Sequence, residues 1–199
     1  MKNSLIKTIQ QNLGYPPLQE IDANTDEPAV GDDAKTKNPF SQAAIPAILA
    51  ALYKYSRADE AAETIAHGDL SADWLAFIFG DQKEIVLIHI ADYAGLSAED
   101  TVMMLTIIVK ESIAVIRKEI QPDGGMMAVK DLLGESRDDV LLYLPASLQI
   151  GKLLHDDTID DPTHKMGGPF SVLMHAIGGA FSGSDTDENT SVNNLNDHI

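Results

Sequence analysis

The sequence predicts an all-α protein, a compact body of eight or nine helices with a buried central helix and a helix-turn-helix-like corner. Three observations predict it. Apolar residues recur at helical spacing in one segment after another. Helix signals punctuate those segments, with Ser, Asp or Asn ahead and Gly behind. No segment reads as a strand: Ile85–Ile90 comes nearest, apolar and partly β-branched, but Asp81 with Glu84 before it and Gly95 after it favour helix.

Taken in order, Ser4 caps a short amphipathic helix whose face is Leu5, Ile6, Ile9 and Leu13, and Gly14 closes it. The stretch YPPLQEIDANTDEPAVGDDAKTK has no period and reads as a long acidic linker, so the first helix is expected to pack at a distance or to serve as a docking element. Asn38-Pro39 opens the next helix, where Ile45, Ile48, Leu49, Leu52 and Tyr53 keep the period and Pro46 marks a kink or a boundary. A third helix spans about Ala58 to Ala66 and stops at Gly68, and Ser71 caps a fourth carrying Trp74, Phe77 and Phe79. Asp81 and Glu84 form a variant capping box for the fifth, as Ser97 and Asp100 do for the sixth.

The sixth helix is expected to be central. Val102, Leu105, Val109, Ile113, Ile116 and Ile120 share one arc, and Thr101, Ile108 and Val115 widen it past the ~100° stripe of a surface helix. Met103, Met104 and Ile107 fall outside even that arc, making the helix apolar over much of its circumference. After a break at Gln121–Gly125, a short helix from Met126 to Leu133 closes at Gly134, and Ser136 caps another. Leu144-Pro145 repeats the interruption at Ile45-Pro46. Pro169 opens a last amphipathic helix with Phe170, Leu173, Met174, Ile177 and Phe181 on one side. The organisation expected is a helix at 1–14, a flexible acidic linker at 15–38, a helical domain at 39–181 and a disordered acidic tail at 182–199.

Composition narrows the functional classes. At 199 residues with 44% hydrophobic content, the chain can build one ordinary core without staples. It has no cysteine, which excludes disulfides, thiolate metal sites and cysteine nucleophiles. No apolar run reaches the roughly 18 residues of a membrane span, and the N-terminal residues lack the apolar core of a secretory signal. A cytoplasmic location is expected. The net charge is −17, and fourteen of those excess negatives lie in residues 20–33, 156–161 and 182–199. Such a field repels polyphosphate and anionic lipid.

Three motifs carry candidate chemistry. IADYAGLSAEDTVMML has the outline of a DNA-reading helix-turn-helix, but Glu99 and Asp100 stand where phosphates would sit, and Met103, Met104, Leu105, Ile107 and Ile108 stand where polar side chains would read bases. The expectation is an αα-corner in the core, not a nucleic-acid reader. His155, Asp156, Asp157, Asp160, Asp161 and His164 hold oxygen and imidazole donors that could take a divalent cation. Their spacing departs from the calcium-loop pattern, so a solvated helix-capping loop is the simpler reading. His89 lies among apolar residues with Asp92 one turn on, and His67 ends a helix. No nucleophile elbow, phosphate loop, dinucleotide fingerprint or zinc-protease motif occurs, so no catalytic residue and no cofactor is assigned.

The strings Ile-Pro-Ala-Ile-Leu-Ala-Ala-Leu at 45–52, Ile-Phe-Gly at 78–80 and Ile-Ala-Asp-Tyr-Ala-Gly-Leu-Ser at 90–97, leading into a long apolar helix, resemble the YidB-like bacterial family. The resemblance covers roughly Pro39 to Ile120 and continues through Leu144-Pro145 to Phe181. It implies an all-helical bacterial fold with a homeodomain-like corner and no established activity, and it transfers no functional residue. The acidic linker and tail depart from it. With no catalytic set and with apolar helices beside flexible segments, the expected role is contact with a protein partner or with a second copy of the chain.

Overall fold

Helix α2, Pro39–Ser56, is the element around which the fold is built, and ten consecutive residues from Ala43 to Leu52 are buried. In the computed structural model, which describes residues 4–21, 38–120 and 124–160, it packs against each of the other helices of six residues or more. The chain divides into two compact units, Met1–Lys165 and Met166–Ile199, and all described residues belong to the first. Around α2 stand α1 (Leu5–Asn12), α3 (Asp59–His67), α4 (Trp74–Phe79), α5 (Lys83–Ala94), α6 (Ala98–Glu119) and α7 (Met126–Leu141). Among the described residues these are the seven helices of six residues or more; single helical turns follow at Ile150–Leu153 and Asp157–Asp160, and there is no strand.

The central helix is therefore α2 and not α6. Alanine explains the exchange. Ala43, Ala44, Ala47, Ala50 and Ala51 let neighbouring helices approach α2 from all sides, while Ile45, Ile48, Leu49 and Leu52 fill the space between them. The helix also runs through Pro46 without ending. A mid-helix proline costs about 3 kcal/mol, but each neighbouring apolar side chain gains roughly 1.5–3 kcal/mol on burial. Helix α6 is the longest, and it buries Leu105, Ile108, Val109, Ile113, Val115 and Ile116. It also packs against each of the other long helices but, unlike α2, leaves Val102, Met103 and Ile107 exposed.

Other boundaries differ from the sequence reading for local reasons. The cap of α4 is Asp73, whose Oδ1 accepts the Ala76 N–H at 3.1 Å. Ser71 instead donates its hydroxyl to Asp69 at 2.6 Å. No capping box forms at Asp81, because Gly80–Gln82 winds as a 3-10 turn directly into α5. Helix α7 is continuous through Gly134. The ~1 kcal/mol that a glycine costs mid-helix is outweighed by the buried stripe Val129, Leu133, Val140 and Leu141. The two proline motifs also part company, for Pro46 lies inside a helix whereas Pro145 starts the 3-10 turn Ala146–Leu148.

The first helix belongs to this body. Leu5, Ile6 and Ile9 are in the common core, α1 packs on α6, and the Ser4 hydroxyl donates to the Asp139 carboxylate of α7. Residues 15–21 follow the surface of the same body. The Gln42 side chain on α2 accepts the Gln19 N–H at 2.9 Å and donates to the carbonyls of Gln19 and Tyr143. The Ile21 N–H then donates to the Leu142 carbonyl at 2.8 Å. The rest of the expected linker, the break at 121–123, the expected helix from Pro169 to Phe181 and the tail at 182–199 lie outside the described residues.

Candidate functional site

The Asp/His loop reaches the described structure only in part. Asp156 is buried and fully engaged: Oδ2 accepts the Arg57 guanidinium at 3.1 Å, and Oδ1 accepts the Thr158 hydroxyl at 2.6 Å and its N–H at 3.2 Å. Burial pushes its carboxyl up, but the two Thr158 hydrogen bonds and the Arg57 charge outweigh that and hold it below the usual aspartate range. Asp156 thus caps the turn Asp157–Asp160 and ties it to the end of α2. His155 beside it is exposed, with a left-handed φ of 53°. Asp157 and Asp160 lie in that turn, while Asp161 and His164 lie outside the described residues. Among the described residues no three His, Asp or Glu side chains come together as a metal group.

The helix-turn-helix-like corner forms as its residues require. Gly95 adopts φ 66° and ψ 36°, a left-handed conformation that favours glycine. There the Leu96 N–H reaches the Ala91 carbonyl and the Gly95 N–H reaches that of Asp92, which closes α5 in a Schellman arrangement. Ser97 caps α6, its Oγ accepting the Asp100 N–H at 3.1 Å and donating to the Asp100 carboxylate at 2.7 Å. Glu99 and Asp100 are exposed on the first turn of α6. Several large apolar side chains of this corner are also exposed. Met103 is 59% exposed and Ile107 55%, one turn apart on α6, while Ile85 and Ile88 stand out from α5. The sequence reading had placed Met103 and Ile107 in the core.

Between α3 and α7 lies a wide, open groove of about 840 Å³. Met126, Met127 and Ala128 make its apolar wall, and Glu60, Glu63 and Asp131 edge it together with Asp59, whose carboxylate accepts Lys130. A smaller cavity of about 340 Å³ shares Ala128 and Asp131 and continues along α7 to Glu135, with Glu119 and Leu5 across from it. Among the described residues no Lys or Arg lines either cavity. The groove depends on α3 and α7 lying side by side. Its only signals in the sequence are the acidic face of DEAAE and the Met126-Met127 pair, neither of which reveals that the two meet.

Two further histidines lie among the described residues. The His89 Nδ1 donates to the Leu148 carbonyl at 3.1 Å, and this bond joins α5 to the Ala146–Leu148 turn. His67 lies 3.8 Å from Glu63 on the exposed side of α3. Arg117 is likewise tied to the fold: its guanidinium donates to the carbonyls of Ile65 at 2.7 Å and Gly68 at 2.6 Å, capping the C-terminal end of α3. No family model matches the chain, and neither a characterised protein nor a solved structure matches it. No helix among the described residues is long and apolar enough to cross a membrane.

Proposed function

We propose that this chain is a non-catalytic helical protein that works through contact with protein, including a second copy of itself. The observation that carries the reading is the apolar outer face of the α5–α6 corner, where Ile85, Ile88, Leu96, Val102, Met103 and Ile107 are all exposed. Large exposed apolar side chains grouped on neighbouring elements are the usual mark of an interaction surface. The exposed carboxylates of Glu99 and Asp100 beside it argue against a nucleic-acid partner. Helix α1 plays no part as a tethered docking element, since its apolar face is in the core. The proposal places the chain in the cytoplasm, on its lack of cysteine, and keeps the YidB-like resemblance, which rests on its short apolar motifs alone.

Light scattering across a concentration series, together with retention of partners on the immobilised chain, tests this reading. The expected result is a dimer or a retained protein partner, and loss of that association when Met103→Lys and Ile107→Lys are combined. Both side chains are exposed, so the double variant should fold with unchanged helix content. A strictly monomeric chain that retains no partner overturns the proposal.

A further inference from the structure

We propose that the groove between α3 and α7 is a second docking site, which takes a cationic amphipathic helix of a protein partner. Its apolar side chains seat on Met126, Met127 and Ala128, and its Lys and Arg side chains face Glu60, Glu63 and Asp131. Three observations converge on that occupant. The volume, about 840 Å³ and extended by the adjoining 340 Å³ along α7, is that of a site for side chains rather than for a single ion. The apolar wall is made chiefly of methionine, a flexible and polarisable side chain that repacks around varied apolar partners; Met127 stands 58% exposed. Carboxylates alone supply the charged lining, six of them over the two cavities, and Lys130 on α7 is already held by Asp59.

Charge also decides against the other occupants. A second copy of this chain seated in this groove would set its carboxylates against those of the lining, which costs affinity at this site. The exposed apolar residues of the α5–α6 corner lie beside Glu84, Asp92, Glu99 and Asp100, so that face carries the wrong sign for this groove. Anionic lipid and nucleic acid are repelled for the same reason. From Gly125 to Glu135 the two cavities follow α7 for about 15 Å, room for roughly three turns of a docked helix. A helix lying there would present apolar residues at i, i+3 and i+4 to the methionines and keep its basic face toward the carboxylates.

The test is titration of the full chain with a synthetic Leu/Lys peptide of about 14 residues, patterned at the helical period. A peptide of the same composition with that period scrambled is the control. The expected result is saturable binding of the patterned peptide with a gain in its helix signal, weakening as salt rises, and at least about tenfold weaker binding of the scrambled one. Equal binding of the two peptides overturns the proposal, as does absence of saturable binding at low salt. Because any cation is attracted to so acidic a chain, the site is assigned with variants of matched charge. Glu60→Lys with Glu63→Lys should weaken binding about tenfold, whereas Asp81→Lys with Glu84→Lys on the far elements should leave it within about twofold. Equal loss in both pairs overturns the assignment. Met127→Ala, which alters no charge, should weaken binding severalfold, and an unchanged affinity counts against the groove. Self-association through the α5–α6 corner is read separately by light scattering, so the two proposals stand or fall independently.

Discussion

Asp156 shows how one side chain can be committed by its neighbours. Its sequence context, two Asp pairs between two His, offered a cation ligand, and its neighbours Arg57 and Thr158 made it a cap. A carboxyl held below its ordinary value contributes stability that is complete above the unfolded aspartate value of about 3.9 and is lost as pH falls through the lower folded value. Asp156→Asn keeps the cap acceptor but removes the charge, so it should cost about 1 kcal/mol near neutral pH, the difference between a charged and a neutral hydrogen-bond acceptor. Urea unfolding from pH 6 down to about 2.5 checks this: the wild-type chain should lose more stability over the acid limb than the variant does. Gly95 and Ser97 behaved as their chemistry dictates, because a left-handed stop and a hydroxyl cap are satisfied by the adjoining turns of backbone. Ser71 did not: its hydroxyl donates to Asp69, and Asp73 caps α4 in its place.

Helix boundaries and helix ranks call for more than local chemistry. Glycine at 134 reads as a stop, yet α7 continues through it because its apolar stripe is buried on both sides of that position. A methyl group built there meets no atom within 4 Å, so Gly134→Ala should raise stability by about 0.4–1 kcal/mol. Thermal unfolding will show it; a loss of stability would mean that α7 is in truth broken at that position. Rank among helices is similar. Both α2 and α6 are rich in apolar residues and pack against each of the other long helices, but only α2 is buried without a break, from Ala43 to Leu52. Ile48→Ala should therefore cost about 2–5 kcal/mol, while Ile107→Ala, on the exposed side of α6, should stay within about 0.5 kcal/mol of the parent. Equal costs at the two positions would restore α6 to the centre.

At the scale of the molecule, the charge and the two exposed surfaces have different standing. The net charge of −17 was legible as a barrier to phosphate-rich partners from composition alone, since summed charge acts at long range whatever the fold. The apolar corner was half legible. Its motif stood in the sequence, but Met103 and Ile107 read as core because a helical wheel counts apolar residues without knowing where the neighbouring helices stand. The α3–α7 groove was not legible, as Glu60 and Met127 are distant in sequence and are joined only by packing. Sequence by itself determined the all-helical class, the Gly95 corner, the Ser97 cap, the Asn38-Pro39 start and the absence of cysteine chemistry, because each depends on backbone conformation within a few residues or on composition. Only the tertiary structure decided that α2 is central, that α1 belongs to the core, that Asp156 is bound to Arg57 and that carboxylates and methionines share a groove. The reason is physical: burial depends on which surfaces meet, and contacts between residues far apart in the chain leave no period in the sequence.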